Sequence, residues 1–131
     1  MTIDFINIDE SEPYKLFYEL YNKAITAGEN QAQAITISSY NNDEHEVDSR
    51  YVNLKKVDGK DFIFFSNYNS PKSRQFLSHS QISAVIFWKQ TNIQIRIKAI
   101  ISRTSNKYSD NYFSKRLLEK NALSISSNQS E

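Results

Sequence analysis

The chain has 131 residues, a mass of 15.3 kDa, a formal net charge of +1 and no cysteine. That length suits one domain around one apolar core, and 39% hydrophobic with 24% charged residues is ordinary globular composition, which excludes wholesale disorder. Disulfides, thiolate metal sites and cysteine nucleophiles are excluded with the cysteines, and the near-neutral charge gives no case for bulk nucleic-acid or membrane binding.

The opening Met1-Thr-Ile-Asp-Phe5 lacks a basic region followed by an apolar one, so no signal peptide is expected. No apolar run approaches the roughly 18 residues of a membrane span. A soluble cytoplasmic domain over residues 1–131 is the expectation. The two glycines and two prolines are informative punctuation. Ser11-Glu-Pro13 predicts a helix start, with Ser11 as cap and Pro13 in the first turn. Leu16, Phe17, Leu20, Tyr21, Ala24 and Ile25 recur at helical spacing, and Gly28 ends the run. Ala32 to Tyr40 alternates as a half-buried strand, and Asn41 to Glu46 is a polar connection. Strand signals return over Ser49–Val57 and Phe62–Ser66, joined by Asp58-Gly59-Lys60 as a hairpin.

Asn69-Ser-Pro71-Lys72 predicts a second, short helix ending near His79. Ile82–Trp88 reads as a strongly apolar strand, expected to be buried against a second copy. Ile93–Ile101 alternates Ile93, Ile95 and Ile97 against Gln94, Arg96 and Lys98. A last helix is predicted to carry Tyr108, Tyr112, Phe113, Leu117 and Leu118. The polar end from Ser124 to Glu131, taken alone, reads as a disordered tail. About five strands with helical cover make an α+β antiparallel barrel or sheet.

Three groups of residues could carry chemistry. Arg50 and Lys55 could bind a phosphate, but five residues apart on a regular strand they face opposite ways; a bulge, or contacts to different parts of a ligand, would reconcile them. As ordinary surface charges they need no ligand. Ser70-Pro71-Lys72 at a helix start could hold an anion, or simply cap the helix. Tyr108, Tyr112, Arg116 and Lys120, each four after the last, would share one helix face and offer a phosphate two phenols, a guanidinium and an ammonium; a solvated face explains them equally. His45 in its acidic loop reads as solvated and His79 as a helix-end residue. With two glycines in the chain, a Rossmann or P-loop site is excluded, and no nucleophile motif or metal site stands out.

Taken in order, these segments resemble the pyridoxamine 5′-phosphate oxidase family, the split barrels that bind flavin mononucleotide (FMN). The residues that carry the resemblance are Arg50…Leu54-Lys55, Phe65-Ser66-Asn67, Ser70-Pro71-Lys72, Trp88, Gln94, Tyr112…Arg116 and Gln129-Ser130, and it covers roughly residues 12–131. It implies an α+β fold, a mainly antiparallel β split barrel with flanking helices, and a homodimer with FMN at its interface. Arg50, Lys72, Gln129 and Ser130 would hold the FMN phosphate and its surroundings. Lys55, Phe65, Ser66 and Gln94 would line the rest of the flavin. Lys55, Tyr112 and Arg116 would contact a substrate phosphate, joined by Lys120 where the family has serine.

Pro71 replaces a family arginine. The match ends at Glu131, ahead of the family's Trp-containing stretch and its Arg-x-His motif. The implied activity is oxidation of pyridoxamine or pyridoxine 5′-phosphate at C4′ by hydride transfer to flavin, with dioxygen as acceptor and no obligatory side-chain acid or base. The alternative is an FMN-binding split barrel with another reductase role, or with none. A nucleic-acid-binding barrel is disfavoured for want of a contiguous basic cluster.

Overall fold

A computed structural model of the chain describes residues 2–65, 79–103, 112–117 and 123–127. In chain order these form β1 (Asp4–Ile6), α1 (Tyr14–Thr26), β2 (Ala34–Asn41), β3 (Glu46–Asp58), β4 (Asp61–Phe65), β5 (Gln81–Trp88), β6 (Ile93–Arg103), β7 (Tyr112–Leu117) and β8 (Leu123–Ser127). Apart from the parallel pair β1–β3, the pairings are antiparallel. Strand pairs β3–β2, β2–β5, β5–β6, β6–β7, β7–β4 and β4–β3 close a circuit. Two long strands make the closure possible. Along β6, residues Ile93–Ile97 pair with β8 and Ala99–Arg103 with β7. Along β3, Glu46–Asn53 pair with β2, and the end of the strand pairs with β4.

The helix turns Phe17, Tyr21 and Ala24 into the barrel, while Leu16 and Ile25, at the margins of the apolar stripe, stay largely exposed. Its start differs from the expectation. Pro13 is the N-cap, no side chain caps the helix, and Ser11 contributes its backbone oxygen to Lys15 N–H while its hydroxyl bonds Asp9. Its end is as expected, because Gly28 takes φ +94°, a conformation that suits a residue without Cβ. Gly28 N–H then bonds the Ile25 oxygen and Glu29 N–H the Ala24 oxygen, a Schellman stop that also places Glu29.

The core sits between this helix and the inner face of the sheet. Trp88 is fully buried there, with ring centroids 5.7 Å from Phe17 and 5.9 Å from Tyr21, and its indole N–H donates to the Ala32 oxygen at 2.9 Å. The strand ending in Trp88 is therefore covered by its own chain, contrary to expectation: Ile82, Ala84, Ile86 and Trp88 point inward, and the alternate Ser83, Val85 and Phe87 point outward. Large apolar strands fold over whatever apolar face is nearest, and here α1 supplies it.

Three elements depart from the sequence reading. β1 has no strand signal in the sequence, being three residues that gain strand structure only by pairing with Lys56–Asp58. Tyr112–Leu117 is strand β7, not helix, held between β4 and β6; pairing on both sides outweighs the local helical spacing. The polar end is not wholly a tail, since Leu123–Ser127 pairs with β6. The predicted helix between Asn69 and His79 lies outside the described residues.

Candidate functional site

The site builds outward from β3. Up to Leu54, its even residues belong to the inner set (Val52 and Leu54 are buried), and its odd residues, Ser49, Tyr51 and Asn53, are exposed. Arg50 is an inner-set residue at the margin of the core, half-buried, where its Nη1 donates to Ser39 Oγ at 2.9 Å. Ser39 is 2% exposed and stands on the apolar side of β2 beyond Ile35 and Ile37. That polar break in an apolar row is the signal by which sequence alone could have found Arg50's partner. Burial lowers the Arg50 pKa from its ordinary value by desolvating the charge, and Asp48 partly opposes this. The result is a pre-positioned, partly dehydrated guanidinium.

The register then shifts. Leu54 pairs with Phe64 and Lys56 with Ile63, so Lys55 is the extra residue of a β-bulge. Inward burial passes from even to odd across it, from Leu54 to Val57. The odd spacing of Arg50 and Lys55 therefore places no restriction on both serving one ligand, because strict alternation ends between them. The adjacent strands bring further expected residues alongside. Lys55 lies opposite β4 just before its end, Phe65 closes β4, and Phe65 is in register with Tyr112 of β7.

Arg116 pairs with Asp61, at the other end of β7 from Tyr112. Four residues span about 13 Å along a strand against about 6 Å along a helix. Tyr112 and Arg116 therefore lie far apart along a strand, not one turn apart on the expected helix. Gln94 lies on β6 with Phe87 on one side and Ser126 on the other. It belongs to the outward set, opposite in sense to Arg50. Ser66, Lys72, Gln129, Ser130, Lys120, Tyr108 and Pro71 lie outside the described residues.

His45 is exposed, as expected, but not isolated: its Nδ1 is 3.0 Å from the Tyr40 hydroxyl, and His79 packs edge-on to the Tyr40 ring at 5.5 Å. No group of three or more His, Asp or Glu side chains able to hold a metal occurs among the described residues. No helix among them is long and apolar enough to cross a membrane.

A curled, mostly antiparallel sheet with one helix packed against it by a single face, and with long strands shared between neighbours, defines a split β-barrel. No protein-family model matches the chain. It is 31% identical over 121 residues, 92% of its length, to the pyridoxine/pyridoxamine 5′-phosphate oxidase of Microcystis aeruginosa, and 32% identical over 113 residues to that of Azorhizobium caulinodans. It spans about half of each relative, 56% and 52% respectively. Its fold is that of PhzG from Burkholderia lata 383, solved with tetrahydrophenazine-1-carboxylic acid (TM-score 0.69, 23% identity, 74% of this chain and 48% of that one). The chain is homologous to the pyridoxine/pyridoxamine 5′-phosphate oxidases over most of its length and has the split-barrel fold of their relatives.

Proposed function

We propose that this chain binds FMN and acts as an oxidoreductase on pyridoxamine or pyridoxine 5′-phosphate, as a cytoplasmic homodimer with the flavin at the subunit interface. The donor set fits the group: a phosphate needs a fixed, poorly hydrated cation, and Arg50, steered by Ser39, is one. Its placement is the observation that carries the reading. Lys72, Gln129 and Ser130 would complete the phosphate site, and Lys55, Phe65, Ser66 and Gln94 would line the flavin. Lys55, Tyr112 and Arg116, with Lys120, would receive the substrate, Tyr112 and Arg116 reaching different parts of it.

Bound flavin would supply the two-electron chemistry, taking hydride from the substrate and passing electrons to dioxygen. The protein's part is to orient two rings and neutralise two phosphates. The division of faces supports the homodimer: Arg50 belongs to the inner set and Gln94 to the outer set of one sheet, so a flavin touching both draws Gln94 from a second copy. A second reading, a flavin protein with another substrate or no vitamin B6 oxidase activity, is favoured by Pro71, which removes a family cation, and by the phenazine carboxylate bound to PhzG. The visible spectrum of the purified protein separates these. A flavin band bleached by pyridoxamine 5′-phosphate without oxygen supports the oxidase; a flavin band that persists supports the second reading; failure to take up FMN sinks both.

A further inference from the structure

The outward face of β3–β2–β5–β6 carries a groove and an arginine that the reading above leaves unused. The groove, about 460 Å³, is lined by Glu29, Gln31, Asn53, Tyr51, Val85 and Phe87 among others. Its aromatic walls are open, with Tyr51 76% and Phe87 49% exposed. Its rim offers acceptors: the Glu29 carboxylate and the amide oxygens of Gln31 and Asn53, which lie 3.4 and 3.5 Å from the Gln33 amide nitrogen. Glu29 is fixed by the Schellman stop and accepts Gln90 N–H at 3.0 Å, and a carboxylate has lone pairs to spare for a second donor. No lysine or arginine lines the groove. Acceptors set between aromatic faces are what a guanidinium binds.

Arg96 stands on the same face. Its row runs Tyr51–Thr36–Val85–Arg96–Ser124, with no other charged residue. It is exposed, and among the described residues it has no hydrogen-bond or ion-pair partner. Three strand spacings, about 14 Å, separate it from Tyr51 on the far wall, and it bonds none of the rim acceptors of its own groove. A two-fold axis would bring it to the rim of another, since in such an interface each residue meets in the partner the residue that meets it in return.

We propose that the groove receives Arg96 of a second copy of the chain, two such contacts joining the outward faces of a two-fold dimer. This rests on the homodimer reading and adds which face pairs and through which contact. The charge pattern selects a second copy over other occupants, because one face carries both a guanidinium unpaired among the described residues and an acceptor groove lined by no cation.

The test is the dimer dissociation constant, measured by sedimentation on the full chain with and without FMN, for wild type, Arg96→Glu, Glu29→Arg and the double variant. Each single reversal is expected to weaken the dimer by at least about tenfold, and the exchange of charges in the double variant to recover most of the loss. Arg96→Gln, in which shape is nearly kept, should act in the same direction and serves if a reversal fails to fold. A dimeric wild type whose constant is unmoved by these changes overturns the groove contact and leaves the homodimer standing. So does a double variant no tighter than the singles. A wild type that stays monomeric with FMN bound overturns the homodimer and the contact together.

Discussion

Replacing Arg50 by alanine should separate recognition of the phosphate from support of the fold. A charge-assisted hydrogen bond contributes about 1.5–3 kcal/mol. On that basis Arg50→Ala should weaken FMN binding roughly 10- to 150-fold. Desolvation lowers the Arg50 pKa but leaves the group protonated at neutral pH, since guanidinium lies far above it, so the loss should not depend on pH between 6 and 8, roughly. Removing the guanidinium also takes a donor from Ser39, which is 2% exposed, and this should cost about 1–3 kcal/mol of folding stability. Fluorescence titration with FMN and, in parallel, with riboflavin reads the first effect, and thermal unfolding reads the second. Riboflavin lacks the phosphate, so its affinity should hardly change. Arg50→Lys keeps the charge but not the fork to Ser39, and should fall between wild type and alanine. Equal losses for FMN and riboflavin would show that Arg50 acts through the fold, and the assignment of its charge to the phosphate would be wrong.

Other consequences are simpler. Trp88→Ala empties the centre of the core beside Phe17 and Tyr21 and orphans the Ala32 oxygen; about 3–5 kcal/mol should be lost in denaturant unfolding. A small loss would mean that Trp88 is not the packing centre. Gly59, with φ +60° in the two-residue β3–β4 turn, should not accept alanine without a cost of about 1–2 kcal/mol, although the nearest atom to an added Cβ is a tolerable 3.6 Å away. An unchanged melting temperature would refute the turn argument. Burial raises the Tyr14 pKa, with Asp9 and Asp61 adding to it, so the folded chain holds that proton more tightly than the unfolded one. This contribution is present below the ordinary tyrosine pKa and is lost as pH rises through the folded value. Phenolate absorbance titrated against pH should lose a late-ionising component in Tyr14→Phe.

The resemblance and the main strands were legible in the sequence because their signals are local. The Asp-Gly turn, the alternation of Ile93, Ile95 and Ile97 and the stop at Gly28 each depend on neighbours a few residues away, and the order of Arg50, Lys55, Phe65 and Gln94 is read along the chain without any contact between them. Trp88 could be read as apolar, but not on which side it would be covered, since that depends on where α1 packs. Tyr112–Leu117 carries helical spacing and is a strand because β4 and β6 flank it, and Leu123–Ser127 is paired for the same reason. The bulge at Lys55 has no composition of its own; it exists because β3 must shift register between β2 and β4. The opposite facing of Arg50 and Gln94, on which the case for a second copy rests, follows from strand pairing across most of the barrel. Such contacts join residues far apart in the chain, and only the closed fold sets their sense.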